Sequence, residues 1–300
     1  MNKRRLIVRL KGGLGNQMFQ YAAGRALAIR NDMELVLDTT SGFIRDKVYR
    51  RIFSLGAFPI QARRANFLEQ LPFWTEHGRQ KLATNKLMPI TPRTWGDFLY
   101  ETELRFMNQI AAYEARRPSW MEGYWQSEKY FADCKDVIAG ELAFPTPDES
   151  NFLSMGRMIE SCESVAVGVR VFEEVPGVDK SGVGGVVPLD FYEKAARWIV
   201  DTIKNPIFFV FCTTIAAVKD KLRLPGKIYY ITHDNGFNGG FQRLWLISRC
   251  KHHIISNSSF YWWGAWMAEQ KNPGGMIIAS DMFPNVDTIP SRWQRLRVVD

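Results

Sequence analysis

The sequence predicts an α/β protein of two domains, each built on a parallel sheet that is doubly wound by helices. Residues 6–38 first give the order strand, glycine-rich turn, helix and strand, which implies a parallel pair with a right-handed crossover. A second alternating series follows the proline-containing segment 144–150. The chain has 300 residues, of which 46% are hydrophobic, so both domains can bury a core.

The first domain is expected over residues 1–150. Its opening elements follow from apolar runs and from the helical spacing of Met18, Ala22 and Ala26. They are a strand at 6–10, a turn at 11–17, a helix at 18–30 and a strand at 34–38. The aromatic, proline-interrupted stretch 39–117 predicts mostly helices and loops.

The second domain is expected over residues 151–300, after a linker at 144–150. Short buried strands are predicted at 165–169, 207–211, 228–231, 253–256 and 276–279, and helices at 189–203, 214–222, 241–250 and 258–271. A ligand cleft is expected between the domains, at the carboxyl ends of the strands.

The net charge of +8 suits an acidic partner such as a nucleotide phosphate, a nucleic acid or an anionic membrane face. The basic residues of the chain are scattered and no nucleic-acid recognition module is visible, so a nucleic acid is the least favoured of these partners. The four cysteines form no CxxC pair, which indicates neither a zinc site nor a disulfide framework. No apolar run approaches the ~20 residues of a membrane span. These features favour a cytoplasmic protein, with peripheral contact at the inner membrane through its basic groups.

Residues 254–269 join a small polar cluster to an aromatic run. The cluster Ser-Asn-Ser-Ser at 256–259 follows two isoleucines, and Trp262, Trp263 and Trp266 then take a helical spacing. Such a strand-to-helix turn satisfies N–H groups of the first helical turn and suits a phosphate. A well-capped buried helix rich in tryptophan accounts for the segment equally well.

The glycine-rich turn at 12–17, Gly-Gly-Leu-Gly-Asn-Gln, lets the backbone approach a ligand, and Asn16 can cap the helix or donate an amide hydrogen bond. It has neither the GxGxxG pattern nor the Lys-Ser/Thr of a P-loop, which disfavours dinucleotide binding and simple phosphoryl transfer. A tight turn without a ligand is the alternative.

Arg170 stands at the carboxyl end of the strand 165–169 and precedes Glu173, Glu174 and a glycine-rich loop at 177–185. A guanidinium there can clamp a diphosphate and offset charge on a leaving phosphate. Either glutamate could hold the arginine or act as a general base. A surface ion pair is the alternative.

Two further features carry weaker signals. Residues 123–131 mix aromatic and hydrogen-bonding side chains in a way that suits sugar rings, or else form a helix start capped by Ser127 over a core. His233, His252 and His253 have no metal-ligand spacing, and the last two are interpreted as structural.

Four segments taken in order resemble the bacterial α-1,2-fucosyltransferases: residues 12–21, residues 123–131, Arg170 after its strand, and residues 256–266. The likeness includes Asp38 and the tail 289–293, so it covers nearly the whole chain. It implies a two-domain GT-B fold and metal-independent, inverting transfer of fucose from GDP-β-L-fucose. The acceptor would be the 2-hydroxyl of a terminal galactose, in surface polysaccharide or O-antigen synthesis.

The resemblance also implies residue roles. The first domain would be the acceptor side, with its glycine-rich turn beside the donor, and the second would bind GDP-fucose. Arg170 would bind the β-phosphate and assist departure of GDP. We predict in addition that Glu173 or Glu174 helps to deprotonate the acceptor hydroxyl. The donor-binding residues would be Gly13, Gly15, Asn16, Gln17, Arg170, Asn257, Ser258, Ser259 and Phe260.

The chain departs from the family pattern at two places. Where the family usually has His-x-Arg-Arg-Gly-Asp, residues 168–173 read Gly-Val-Arg-Val-Phe-Glu, and where Ser-Asp-Asp is expected, residues 212–214 read Cys-Thr-Thr. The role of Arg170 survives these changes, whereas the histidine's contact must come from elsewhere. Three alternatives therefore remain: the enzyme transfers another GDP-sugar, it forms a different linkage, or the protein is a catalytically weak glycan- or nucleotide-binding protein.

Overall fold

The computed structural model describes residues 4–44, 46–70, 96–171 and 182–298. The chain divides into two compact units, Met1–Leu142 and Ala143–Asp300. The proline-containing segment 144–150, predicted as a linker, has no helix or strand before Ser150 and lies at the start of the second unit.

The first unit contains a five-stranded sheet in the order β3-β2-β1-β5-β4, with every neighbouring pair parallel. Its described strands and helices, in chain order, are β1 Arg5–Arg9, α1 Leu14–Arg30, β2 Glu34–Asp38, β3 Arg63–Arg64, β4 Asp97–Tyr100, α2 Asn108–Ala111, β5 Ser119–Glu122 and α3 Lys135–Glu141.

Helix α1 begins at Leu14, earlier than the predicted residue 18. Gly13 is its N-cap, and the N–H of Gln17 donates to the Gly13 carbonyl at 3.1 Å, which closes the first helical turn inside the predicted loop. Farther along, Gly24 lies so close to β1 that a Cβ there would be 2.4 Å from Cγ2 of Val8. The helix therefore packs tightly on the sheet from its first turn.

The prediction of mostly helices and loops for 39–117 is wrong at β3 and β4, the two edge strands of this sheet. Edge strands have one unpaired side: β3 consists of two arginines, and in the short strand β4 only Leu99 is buried. Residues 71–95 of this stretch lie outside the described residues.

The second unit contains a six-stranded parallel sheet in the order β11-β10-β9-β6-β7-β8. Its described strands and helices are α4 Ser150–Glu160, β6 Ser164–Gly168, α5 Leu189–Thr202, β7 Ile207–Phe211, β8 Lys227–Ile231, α6 Gly240–Ile247, β9 His252–Ile255, α7 Ser259–Lys271, β10 Ile277–Ser280 and β11 Gln294–Leu296.

All five strands predicted in this half are confirmed, but the helix predicted at 214–222 is wrong. Only a 3-10 turn, Ile215–Ala217, forms there. The N–H of Ile215 donates to both carboxylate oxygens of Asp234, at 3.2 and 3.1 Å, and this fixes the turn to the loop after β8. The buried Val218 and Leu222 produced the misleading helical spacing.

Helix α7 carries three buried tryptophans. Trp262, Trp263 and Trp266 are at most 1% exposed, and the rings of Trp262 and Trp266 stack with centroids 6.1 Å apart. The indole N–H of Trp262 donates to the Thr288 carbonyl at 2.8 Å. The buried-helix interpretation thus holds for the aromatic part of the segment, and this packing fixes the turn that precedes it.

A buried histidine makes the stability of the second unit depend on pH. His253 in β9 is fully buried and hydrogen-bonds the Ile247 carbonyl at 2.9 Å, and burial lowers its pKa to about 4. An unfolded histidine titrates near ~6.5. As the pH falls below that value the unfolded chain takes up the proton first, so stability present above it is lost toward pH 4.

We expect this single group to lower the free energy of unfolding by about 2 kcal/mol between pH 7 and pH 5. Urea unfolding at several pH values measures the slope. His253→Gln keeps a donor for the Ile247 carbonyl and should remove that part of the slope. A variant with the slope of the wild type would show that His253 is not the responsible group.

Candidate active site

The ends of four adjacent strands define a polar edge in the second unit. Gly168 of β6 is paired in register with Phe211 of β7 and Ile255 of β9, and Phe211 is paired with Ile231 of β8. The residues that follow these strands therefore share one edge of the sheet, which is where parallel α/β sheets bind ligands.

The turn from β9 into α7 places several polar groups at this edge. Ser256 is fully buried, and its hydroxyl lies near that of the buried Tyr192. The Asn257 amide donates to the Gly185 carbonyl at 2.9 Å and to the Met282 carbonyl at 3.3 Å. Asn257 thus ties two neighbouring loops to the turn.

Ser258 is the N-cap of α7, but its side chain makes no capping hydrogen bond, contrary to the prediction. Ser259 and Phe260 form the first helical turn and are half-buried. The positive end of a 13-residue helix therefore lies at the same edge as Arg170, and this arrangement suits an anion.

Arg170 lies just beyond β6, where the N–H of Val169 extends the ladder by donating to the Phe211 carbonyl at 2.9 Å. Its side chain is half-buried. Its predicted place at the end of a parallel strand is confirmed. Glu173 and Glu174 fall in 172–181, outside the described residues, so their predicted roles stay predictions.

Gly168, which stands where the family usually has histidine, is covered by a tyrosine ring. A Cβ at Gly168 would be 2.4 Å from Cγ of Tyr261. The Tyr261 hydroxyl lies 2.9 Å from the carbonyl oxygens of both Val169 and Phe211, which share its one proton. Tyr261 of α7 therefore fills the space beside Gly168 and links the ends of β6 and β7.

The glycine-rich turn in the first unit is held by two amide side chains. Gly12 has φ 77° and leaves room for the Asn16 side chain, whose Oδ1 accepts from the Gln126 amide at 2.8 Å. The buried Gln17 amide donates to the carbonyls of Gly12 and Ile52, both at 2.9 Å, and accepts from the N–H of Ser54 at 2.8 Å.

These contacts give the candidate residues of the turn different places. Asn16 is partly exposed beside Gln126, whereas Gly15 is buried within the first turn of α1. The Gln17 amide makes its hydrogen bonds to the backbone around the turn. Its side chain therefore positions the loop, and its predicted contact with a donor stays a prediction.

Residues 123–131 combine both interpretations offered by the sequence. Trp125 and Tyr130 are in the core, and Ser127 accepts from the N–H of Lys129, so the capping interpretation holds there. Tyr124, however, is 37% exposed and lies under the Lys11 ammonium, 5.0 Å from its ring centroid.

Sequence reasoning missed Glu101, which shapes this segment. Its carboxylate accepts from the N–H groups of Tyr124 at 2.6 Å and Trp125 at 3.0 Å, and burial raises its pKa. Trp125 has φ 55°, a left-handed conformation uncommon for a residue with a side chain. The unusual Gly123, against which the Glu101 side chain packs, was the available signal.

Within the described ranges, no cluster of three or more His, Cys, Asp or Glu residues has the geometry to hold a metal ion. The helices of those ranges include none that is both long enough and apolar enough to span a membrane.

Comparison with a solved structure tests the predicted fold. The fold matches a mutant of Arabidopsis thaliana FUT1 in complex with GDP, with a TM-score of 0.51 and 12% identity over 93% of this chain and 70% of that chain. The predicted α/β fold with parallel sheets, of the GT-B glycosyltransferase kind, is therefore confirmed.

The chain belongs to glycosyl transferase family 11, whose model matches residues 98–286. It is 28% identical to the alpha-1,2-colitosyltransferase of Escherichia coli, over 97% of this chain and 98% of that protein. It is 26% identical to the O-antigen biosynthesis glycosyltransferase WbnK of Escherichia coli, over 86% and 88% of the two chains. The family resemblance seen in the sequence is confirmed.

Proposed function

We propose that this glycosyltransferase moves L-fucose from GDP-β-L-fucose to the 2-hydroxyl of a terminal galactose, in the synthesis of O-antigen or another surface polysaccharide. The observation that carries the proposal is the family match across the polar edge of the second unit, together with the O-antigen enzyme among the relatives. The second unit would bind the donor and the first the galactose-terminated glycan.

In the proposed reaction the acceptor oxygen attacks C1 of fucose from the face opposite GDP. The bond between C1 and the β-phosphate oxygen breaks, so the β linkage of the donor becomes an α linkage in the product. Negative charge grows on the departing phosphate, where Arg170 and the N-terminus of α7 offset it. Glu173 or Glu174 would accept the proton of the acceptor hydroxyl.

The turn residues Asn257, Ser258, Ser259 and Phe260 would face the diphosphate, supported by their place at the sheet edge. In the first unit, Gly13 and Asn16 would lie beside the donor. Ser256 adds a buried hydroxyl to this turn, and a phosphate or ribose oxygen of the donor would be an acceptor for its proton.

A second donor deserves a direct test because a relative aligned over 97% of this chain is named an alpha-1,2-colitosyltransferase. Colitose is the 3-deoxy form of L-fucose, so the two donors differ at one hydroxyl. A site built to hydrogen-bond that hydroxyl would discriminate strongly against the donor that lacks it. GDP-colitose is therefore the alternative donor.

The test is a screen of GDP-fucose and GDP-colitose against a panel of β-galactosides, with product linkage assigned by NMR. We expect transfer from GDP-fucose to the galactose 2-hydroxyl, unchanged by EDTA because the proposed mechanism uses no metal. If the enzyme prefers GDP-colitose, the proposed donor is wrong. If the product is 3- or 6-linked, the proposed linkage is wrong. Tight GDP binding without transfer would indicate a catalytically weak binding protein.

The proposed place of action is the cytoplasmic face of the inner membrane, reached through peripheral contact of the basic groups. Co-sedimentation with anionic vesicles at low and high salt checks the contact. Binding that disappears at high salt is expected for electrostatic attachment.

A further inference from the structure

Arg243 in α6 is a buried cation that the reaction outlined above does not use. It is 6% exposed, although the neighbouring residues 244–247 are all apolar and buried. Its guanidinium reaches the carboxyl end of the sheet, where Nη2 donates to the Cys212 carbonyl at 2.8 Å. A buried arginine normally has an acidic partner.

The partners of Arg243 in the structure are a backbone carbonyl and an imidazole ring. Besides the Cys212 carbonyl, Nη1 contacts Nε2 of His233, and Nε has no hydrogen-bond acceptor within the described ranges. No carboxylate in those ranges pairs with it. A guanidinium carries five N–H donors, so Arg243 keeps both donors and charge for another group.

The position of this charge links it to the proposed donor site. Cys212 follows β7 and His233 follows β8, and β7 pairs with β6, which leads to Arg170. On its other side β6 pairs with β9, which leads into the N-terminus of α7. Arg243 therefore adds a second arginine to the edge that already carries two groups suited to an anion.

We propose that Arg243 is a phosphate-binding residue of the donor site, held in place by Cys212 and His233, and that the diphosphate of the nucleotide is the anion that neutralises it. This inference rests on the proposed function. Charge-assisted hydrogen bonds from arginine to phosphate are strong and directional, so the contact should contribute mainly to donor affinity.

The experiment compares the binding of GDP and of guanosine to the wild type and to Arg243→Met. The expected result is about 10- to 100-fold weaker GDP binding by the variant and unchanged guanosine binding, since guanosine has no phosphate. Arg243→Lys keeps the charge and should bind GDP with an affinity between the two. Calorimetry or NMR titration measures these constants.

Arg249→Met is the matched control. Arg249 comes shortly after α6, forms an ion pair with Glu160 and lies over the Trp245 ring at 3.9 Å. This variant should lower thermal stability and leave GDP affinity unchanged. Arg243→Met, in contrast, should lose most of the rise in melting temperature that GDP produces.

Two results would overturn the inference while leaving the proposed function intact. One is wild-type GDP affinity in a folded Arg243→Met, which would make the arginine purely structural. The other is an equal weakening of GDP binding and guanosine binding, which would place Arg243 beside the guanine ring. A wild type that binds no GDP would instead refute the proposed function.

Discussion

Arg170→Ala should lower the turnover of the donor sugar nucleotide by at least about 100-fold, since one well-placed group that stabilises developing charge contributes on this scale. Arg170 stands at the end of β6, beside the turn into α7. The loss should fall mainly on kcat because charge on the departing phosphate peaks in the transition state. Steady-state kinetics with the donor that the wild type uses measures it.

The matched control is Arg157→Ala. This arginine is exposed on α4, and within the described ranges its guanidinium hydrogen-bonds only the Ser154 hydroxyl, at 3.2 Å. It removes an equal charge from the same unit and should leave kcat unchanged. If a folded Arg170→Ala turned over the donor at a near-normal rate, the proposed mechanism would be wrong.

Gly168→His should strongly destabilise the protein, even though histidine is the residue that the family usually has there. Any Cβ at this position lies 2.4 Å from the Tyr261 ring, which is only 5% exposed and cannot move away freely. Overpacking of this kind costs about 1–3 kcal/mol, and more for a large side chain. Denaturant unfolding gives the loss directly.

A second substitution can relieve the clash and so isolates its cause. Tyr261→Ala alone removes the hydroxyl that is shared between two carbonyls and leaves a void, whereas in Gly168→His/Tyr261→Ala the imidazole can occupy part of that void. The double variant should be less destabilised than the sum of the two single changes, by about 1 kcal/mol or more. Strict additivity would mean that the two side chains do not compete for space.

The central strands of the two sheets were predictable because their burial gives apolar runs in the sequence. β2, β6 and β7 are apolar runs bounded by polar residues, and β7 has the predicted bounds. The edge strand β3 was missed because its two residues are arginines, Arg63 and Arg64, paired on one side only. Its conformation comes from partners distant in sequence, which a local pattern does not contain.

The candidate site was predictable where a residue type and an element end coincide. Arg170 and Ser258 were found in this way, because each stands where a strand or a helix begins or ends. Glu101 and Arg243 were not singled out, since what distinguishes them is burial and contacts 23 and 31 residues away, with Tyr124 and Cys212 respectively. The backbone contacts of Gln17 were not predictable, because an amide looks the same in sequence whether it faces a ligand or the backbone.

The left-handed turn at Trp125 would reduce the conformational entropy that the protein loses when it binds a ligand there. Glu101 holds the N–H groups of this turn, and Gln126 meets the Asn16 side chain immediately after it. Fixing one residue of a mobile loop costs about 1–2 kcal/mol of conformational entropy. Because folding has already ordered these residues, a sugar that met Tyr124 or Asn16 would bind a rigid surface and would keep that free energy as affinity.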